Sequence, residues 1–565
     1  MKHTEAISRR PFWLLMIAAV ALGLAALVAC SSPQTFDVTA TPTRTPQPSA
    51  TPTPTITPSP TPTPTPAWPV SAGCDETVPA EACAAFQERV AQDPEHFVWS
   101  EATADVQLGA ADAPNAVPAG TWVYALAAPF YTIDDGVSLA DLQAMWAGTP
   151  SGPFAAHPLL MTPSTHAVLT TLWGAPAGES VQTVDAANLL STAIERDAWA
   201  ILPFDALEPR WKVLQIDGVS PMWRGLDTAT YPLTAPLFIG AANRTDAIPL
   251  LYTADAPYTN RDESKMAVVV MTGVTALTRG TGRVMDVRGM TFPAQDIGPW
   301  LREADLTHIS NEVSFTPDCP EVLPEGTMVF CSREPYIELL DAVGTDIVEL
   351  TGNHNNDYGI EPNLHTFDLF RARGWRWFGG GENLVDATTP LTVTIGPNRL
   401  AFLGCNDVGP EYGLATEDRP GAAPCDWEAM AAQVAQLRAD GWLPIFTVQA
   451  YETYEYFPTD VQVRTFRTVA EAGAVIVQGS QAHQAQGFAF EGETFVHYGL
   501  GNLFFDQMWS LGTRQEFIDR HVFYDGRYLG VELLTALLED YARPRPTTPE
   551  ERREMLETTF AVSGW

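Results

Sequence analysis

Residues 346–359 read Asp-Ile-Val-Glu-Leu-Thr-Gly-Asn-His-Asn-Asn-Asp-Tyr-Gly. A short apolar strand runs into Gly-Asn-His, then an Asp-Tyr-Gly turn, then a helix. The order sets an amide, an imidazole and a carboxylate at the carboxyl end of a strand, where open α/β sheets build their sites. A polar turn with a capping Asn fits the same residues, and both readings stay open at this point.

The same alternation recurs along the chain. Met266–Met271, Leu306–Ser310, Arg399–Gly404, Trp442–Val448 and Ala474–Gln478 read as strands. Between them Glu334–Val343, a stretch from Asp426 with Met430, Val434 and Leu437 on one face, and residues 460–472 read as helices. Upstream, Trp122–Phe130, Leu159–Met161 and Ala198–Asp205 are strand-like, and Ser138-Leu139-Ala140-Asp141 opens a capped helix. Strands alternating with helices mean α/β. The expected layout is a first α/β region over 70–262, a second over 263–525, and a peripheral helical tail over 526–565.

The first 69 residues differ in kind. Lys2, Arg9 and Arg10 precede an apolar run, Phe12–Val28, which ends in Leu27-Val28-Ala29-Cys30. This resembles a bacterial lipobox, so residues 1–30 are expected to be a lipoprotein signal peptide with Cys30 lipidated; a plain membrane anchor is the alternative. Thr-Pro repeats over 31–69 stay extended because Pro fixes φ and removes donors, and they read as a stalk. Either leader places the rest outside the cytoplasm, at the membrane or cell surface. The six remaining cysteines fall as close pairs, Cys74/Cys83, Cys319/Cys331 and Cys405/Cys425, which suggests three local disulfides in an oxidising compartment. The net charge of −36 repels nucleic acid and anionic lipid.

Polar clusters sit at successive strand ends of the second region: Asn311-Glu312, Asn353-His354, Gln449 with Glu452, Gln481 with His483, and Asn502. Each alone is a cap or a turn; together they argue for one site above a sheet.

Asn353-His354-x-x-Asp357-Tyr358-Gly359, Ser310-Asn311-Glu312, the stretch from Gly273 to Arg279 and Tyr498-Gly499-Leu500-Gly501-Asn502 resemble the CapA family of capsule and poly-γ-glutamate synthesis proteins. The resemblance implies a calcineurin-like metallophosphoesterase fold: an α/β sandwich of two mixed sheets flanked by helices. It also implies a metal site, and here the chain departs from the pattern. The family's first ligand Asp falls on Val274, its His-Trp-Gly histidine on Gln449, and its Gly-His-His-Pro-His on Gly479-Ser480-Gln481-Ala482-His483. One divalent ion (Mn, Mg or Zn) held by Glu312, Asn353 and His483, or none, is the expectation. His354 would act as acid or hydrogen-bond donor, oriented by Asp357, with Arg279, Gln449, Glu452, Gln481 and Asn502 lining the site. The first region loosely resembles one lobe of the phosphate-type extracytoplasmic solute-binding proteins, in Ser138–Leu142 and in Trp199–Phe204 before Trp211–Leu214.

Two functions follow from these resemblances. One is metal-dependent hydrolysis or transfer on a phosphoester or capsule polymer. The other is non-catalytic binding of a polymer or solute on the same scaffold, with Tyr451, Tyr454, Tyr456 and Trp509 as stacking surfaces. Expected partners are the membrane through the lipid anchor, an extracellular polymer and capsule-export proteins, with no nucleic acid.

Overall fold

In the computed structural model, which describes residues 67–101, 104–109, 115–321 and 328–565, the strand–turn–helix unit forms as expected. Ile347–Glu349 is a strand and Ile360–Arg373 a helix. Cys30, the signal segment and the stalk lie outside the described residues. Among the described residues no helix is long and apolar enough to cross a membrane.

Two mixed sheets make up the second region. One runs in the order Arg376–Phe378, Ile347–Glu349, Leu306–Asn311, Met266–Thr272, Gln515–Tyr524, Arg527–Glu539, Arg543–Pro546. The other runs Leu391–Ile395, Asn398–Asn406, Leu443–Thr453, Ile476–Ala482, Thr494–His497, Phe488–Glu491. The inner strands of both are parallel and buried on both faces, which is why they read as unbroken apolar runs.

Successive side chains on a strand point to opposite faces, and this sorts the core into layers. Val269, Ile347 and Ile445 pack between the sheets with Phe402, Phe495 and Phe517. Their chain neighbours Val270 and Val348 face outward, against Phe367 and Phe370 of the helix Ile360–Arg373. Phe446 turns outward on the other sheet, against Val434 of the helix Trp427–Ala439 and Phe466 of Asp460–Glu471. Each such side chain, fully buried, stabilises by about 1.5–3 kcal/mol. The result is the two-sheet sandwich flanked by helices that the resemblance implies.

The first region has its own sheet, centred on the long strand Val117–Pro129 between Thr234–Gly240 and Trp199–Pro203. Ser138 caps the helix Leu139–Trp146, its Oγ accepting from Asp141 N at 3.0 Å. This region does not stand apart. Its core takes in Met266, Val268, Val522, Tyr524 and Leu529 from the second, and Ala67–Trp565 is one compact unit.

Residues 526–565 require a correction. They are not a peripheral helical tail. Arg527–Glu539 pairs antiparallel with the whole of Gln515–Tyr524, and the helix Pro549–Val562 buries Met555, Leu556 and Phe560 in the core between the sheets. The charges that suggested a surface tail are paired: Arg545 reaches Glu539 at 2.8 Å and Glu551 at 2.7 Å.

All three close-spaced cysteine pairs are disulfides: Cys74–Cys83, Cys319–Cys331 and Cys405–Cys425.

Candidate functional site

Four strand ends deliver the floor of the site. Glu312 follows Leu306–Asn311, Asn353 follows Ile347–Glu349, Gln449 lies in Leu443–Thr453, and Gln481 lies near the end of Ile476–Ala482. Gln449 is the hub. Its Nε2 donates to Glu312 Oε1 at 3.0 Å, to Asn353 Oδ1 at 3.1 Å and to Gln481 Oε1. Its Oε1 accepts from Ser480 Oγ at 2.5 Å, and Ser480 Oγ lies 3.5 Å from Ser310 Oγ. Glu312, Gln449 and Gln481 are all buried.

His354 and Asp357 form one wall. Nδ1 of His354 lies 2.6 Å from Asp357 Oδ2, which leaves Nε2 for a ligand. Burial pulls the His354 imidazole down in pKa. The bond to Asp357, with the fields of Glu312, Asp357 and Glu452, outweighs burial and holds it above the ordinary histidine value. Asp357 is itself fixed: Phe330 N–H donates to Oδ2 at 2.8 Å and Tyr412 O–H to Oδ1 at 3.0 Å. The Phe330 ring sits 4.3 Å from that of His354, and Cys331 beside it is tied to Cys319.

His483 forms the opposite wall. Its Nδ1 lies 2.8 Å from Asn502 Oδ1, and its Nε2 lies 4.0 Å from Glu452 Oε1. Tyr454 stacks over the His483 ring at 5.9 Å and donates to Glu452; Trp509, 62% exposed, lies 5.7 Å from Tyr454.

Arg279 pairs with Asp506 and lies 4.8 Å from the ring centroids of Phe330 and Phe505. Two of these residues hold left-handed backbone: Arg279 at φ 44° and Gln481 at φ 74°. Outside glycine that conformation costs about 1–2 kcal/mol, and such strain gathers at working sites.

The anticipated polar residues fall into four bonded groups: the Gln449 hub with Glu312, Asn353 and Gln481, His354 with Asp357, His483 with Asn502 and Glu452, and Arg279 with Asp506. Sequence reasoning assigned no role to Ser480, Asp506, Phe330 or Tyr412. Their partners lie far away in the chain (227 residues separate Arg279 from Asp506), so no local signal marks them.

The donor set decides what metal the site suits. A dinuclear centre needs several carboxylates and imidazoles. The floor offers one carboxylate, Glu312, and the amides of Asn353, Gln449 and Gln481. Val274, where the family pattern has its first ligand, is packed among Ala276, Val313, Phe330 and Phe505. Among the described residues no group of three or more His, Cys, Asp or Glu is placed to hold an ion. The three oxygens that could ring a cation converge instead on the Gln449 Nε2. These residues do not fit a two-ion centre.

The chain matches the family described as Bacterial capsule synthesis protein PGA_cap over residues 268–507. It is 22% identical to the capsule biosynthesis protein CapA of Bacillus anthracis over 325 residues, 56% of this chain and 77% of that one. It is also 22% identical to the PGA biosynthesis protein CapA of Bacillus subtilis, over 43% of this chain and 64% of that one, just under two thirds of that relative's length. Among solved structures, an ABC-type phosphate transport receptor from Vibrio cholerae aligns with a TM-score of 0.28 at 10% identity, over 33% of this chain and 93% of that one. A 5'-nucleotidase precursor from Thermus thermophilus aligns with a TM-score of 0.30 at 11% identity, over 53% and 58%. Residues 268–507, which carry the Asn353-His354 motif and the whole floor of the site, belong to the CapA family of bacterial capsule synthesis proteins.

Proposed function

We propose that this protein is a lipid-anchored, extracytoplasmic participant in capsule or poly-γ-glutamate-like polymer synthesis or export, and that its site holds polymer without a resident metal. The observation that carries the reading is the Gln449 amide, whose Nε2 takes the central position between Glu312, Asn353 and Gln481. The names of the relatives support the polymer. The three disulfides support the compartment.

In this reading His354 is the group that meets the ligand. Its raised pKa gives the cleft a partly protonated imidazole at neutral pH, able to donate from Nε2 to a carboxylate or amide oxygen of the polymer. Asp357 keeps the ring oriented. Tyr454 and the exposed Trp509 offer aromatic surface along the strand of polymer. On a chain with a net charge of −36, a local cation is what a polyanion requires.

The His354–Asp357 pair, with strained backbone at Gln481 and Arg279, favours a second reading. In it His354 acts as general acid on an amide or ester of the same polymer.

The test is elemental analysis of protein lacking residues 1–66, with His354→Ala and His483→Ala, alongside binding of poly-γ-glutamate to each. The expected result is no stoichiometric metal and polymer binding that His354→Ala weakens. Near-stoichiometric metal lost in both variants would replace this reading with a metallohydrolase.

A further inference from the structure

Above the polar floor of the His354 site, the rim is apolar. Nine of the seventeen exposed large hydrophobic side chains among the described residues fall in five short segments, 328–330, 357–361, 407–419, 451–460 and 506–514. All five border the cleft. Val329 precedes Phe330, whose ring lies 4.3 Å from that of His354, and the Tyr412 hydroxyl reaches Asp357. On the opposite wall Trp509 lies 5.7 Å from Tyr454, and Gln507 Nε2 donates to the Tyr454 hydroxyl at 3.4 Å, which ties the loops carrying Phe457 and Leu511 together. Val329, Ile360, Tyr412, Phe457, Trp509 and Leu511 are each at least 42% exposed. Apolar side chains scattered singly are normal on a surface; gathered on both sides of one cleft they mark an interaction face.

The charges among them share one sign. The same segments carry seven exposed acids, with Glu411 beside Tyr412 and Glu455 beside Tyr454, and none of the seven pairs with an Arg or Lys among the described residues. Their two arginines are half-buried and serve the backbone. Arg419 Nη2 donates to the carbonyls of Glu411 and Leu414 at 2.8 and 2.9 Å, and Arg514 Nε to that of Leu538 at 2.9 Å.

This combination selects its occupant. A second copy of the chain would set the same acids against themselves, because a two-fold interface places one patch on its own twin. A polyanion or an anionic membrane meets the same repulsion. Aromatic and aliphatic anchors within a charged margin are the composition of a protein–protein interface, and the partner that complements this one electrostatically is basic.

We infer that the rim of the cleft docks a protein partner that presents basic side chains around apolar anchors, the anchors against Val329, Phe457 and Leu511 and the cations against Glu411 and Glu455. Docking and polymer binding are separable, since none of these five residues is among the contacts assigned to polymer.

Three labelled peptides of equal length test it on the full chain by fluorescence anisotropy: a repeat of Arg-Leu-Phe, a repeat of Glu-Leu-Phe, and polyarginine. The Arg-Leu-Phe peptide is expected to bind about tenfold more tightly than polyarginine, and the Glu-Leu-Phe peptide not to bind. Val329→Ser with Leu511→Ser should weaken the Arg-Leu-Phe peptide about tenfold and leave polyarginine unchanged. Glu411→Gln with Glu455→Gln should weaken both about tenfold. Glu179→Gln with Glu195→Gln, exposed acids of the first region, controls for attraction by overall charge and should change nothing. Equal losses in the rim and control pairs, polyarginine binding as tightly as the Arg-Leu-Phe peptide, binding of the Glu-Leu-Phe peptide, or binding of none overturns the inference. So does sedimentation in which the parent self-associates and Leu511→Ser restores the monomer. Poly-γ-glutamate binding, followed in parallel, should be weakened by His354→Ala and kept in the Glu411→Gln, Glu455→Gln pair, so that either reading can fail without the other.

Discussion

His497 Nδ1 lies 2.6 Å from Asp519 Oδ2, and that bond ties the six-stranded sheet to the nine-stranded one across the middle of the sandwich. It is the base of a polar column that ends at the site. In the same register row stand Thr447 and Gln478 on one sheet. On the other sheet His308 Nε2 lies 3.1 Å from Glu349 Oε2. Two residues further along each strand come Ser310, Thr351, Gln449 and Ser480; two further again, Glu312 and Asn353. A strand rises about 3.3 Å per residue and repeats its face every second one, so one face of four strands carries polar groups from the core to the cleft.

Asp519 should be costly to remove. Both partners of the pair are fully buried, so Asp519→Ala leaves a buried imidazole without its acceptor, a loss of about 3 kcal/mol. Asp519→Asn keeps an oxygen at the same place and should lose about 1 kcal/mol. Urea midpoints at constant m-value measure both. Equal losses would mean that the retained oxygen restores nothing and that the carboxylate charge carries the pair.

Acid should act on this layer before the surface. Burial outweighs the pull of Asp519 and, with smaller repulsions from His497 and His308, lowers His521 to about 4. The unfolded chain then takes up a proton near pH 6.5 that the folded chain refuses until about pH 4. Stability is therefore full above pH 6.5 and falls by about 3 kcal/mol between there and pH 4. His354, with its pKa raised, contributes with the opposite sign: its share is present below the unfolded value and fades as pH rises through the folded one. Denaturation series from pH 7.5 to 4 on the unmodified chain and on His521→Phe should give a steeper slope for the former. Parallel curves would show that His521 does not set the acid limit.

The Gln449 hub can be tested in two directions. Gln449→Leu keeps much of the volume but strips the donor from buried Glu312, Asn353 and Gln481, and should cost about 2–4 kcal/mol. Gln449→Glu sets a second carboxylate against Glu312. It should be less stable than the parent in a chelator and recover with millimolar Mn²⁺, whereas the parent's melting temperature should not respond to the ion. A parent that gains as much as the variant would show that the amide floor already accepts a metal.

How far these features could be read from the amino acids depends on the range of the interaction. The unit 346–373 was legible because strand, turn and helix are local, and so were the Ser138 cap and the close cysteine pairs. The hub was legible only as a list of strand-end polar residues. What Gln449 touches is set by partners 137, 96 and 32 residues away. Phe330 gave no sign of its place, because its backbone N–H, not its side chain, holds Asp357. The last forty residues misled for a different reason. Pro544 and Pro546 sit on the edge strand Arg543–Pro546, where a missing N–H costs little, so a stretch rich in Pro, Arg and Glu that reads as a helical tail is compatible with a sheet.

That last misreading yields the sharpest prediction. A chain ending at Asp525 keeps every residue of the His354 site, and a peripheral tail could be lost without harm. The structure says otherwise. The strand Gln515–Tyr524 would lose one of its two partners along its whole length and become a long, unprotected edge. Val531, Leu533, Leu556 and Phe560 would leave the core between the sheets. At about 1.5–3 kcal/mol each, these four alone come to about 6–12 kcal/mol, as much as the whole margin of a typical domain, about 5–15 kcal/mol. The truncated chain should aggregate on expression and show no cooperative melt by circular dichroism. Cutting after Val562 removes only Ser563, which accepts from Phe488 N, Gly564, and Trp565, whose ring lies against Phe130 and Phe490, and should lower melting but keep it cooperative. A soluble, cooperatively melting chain ending at Asp525 would mean that the C-terminal strand and helix dress the sandwich without completing it.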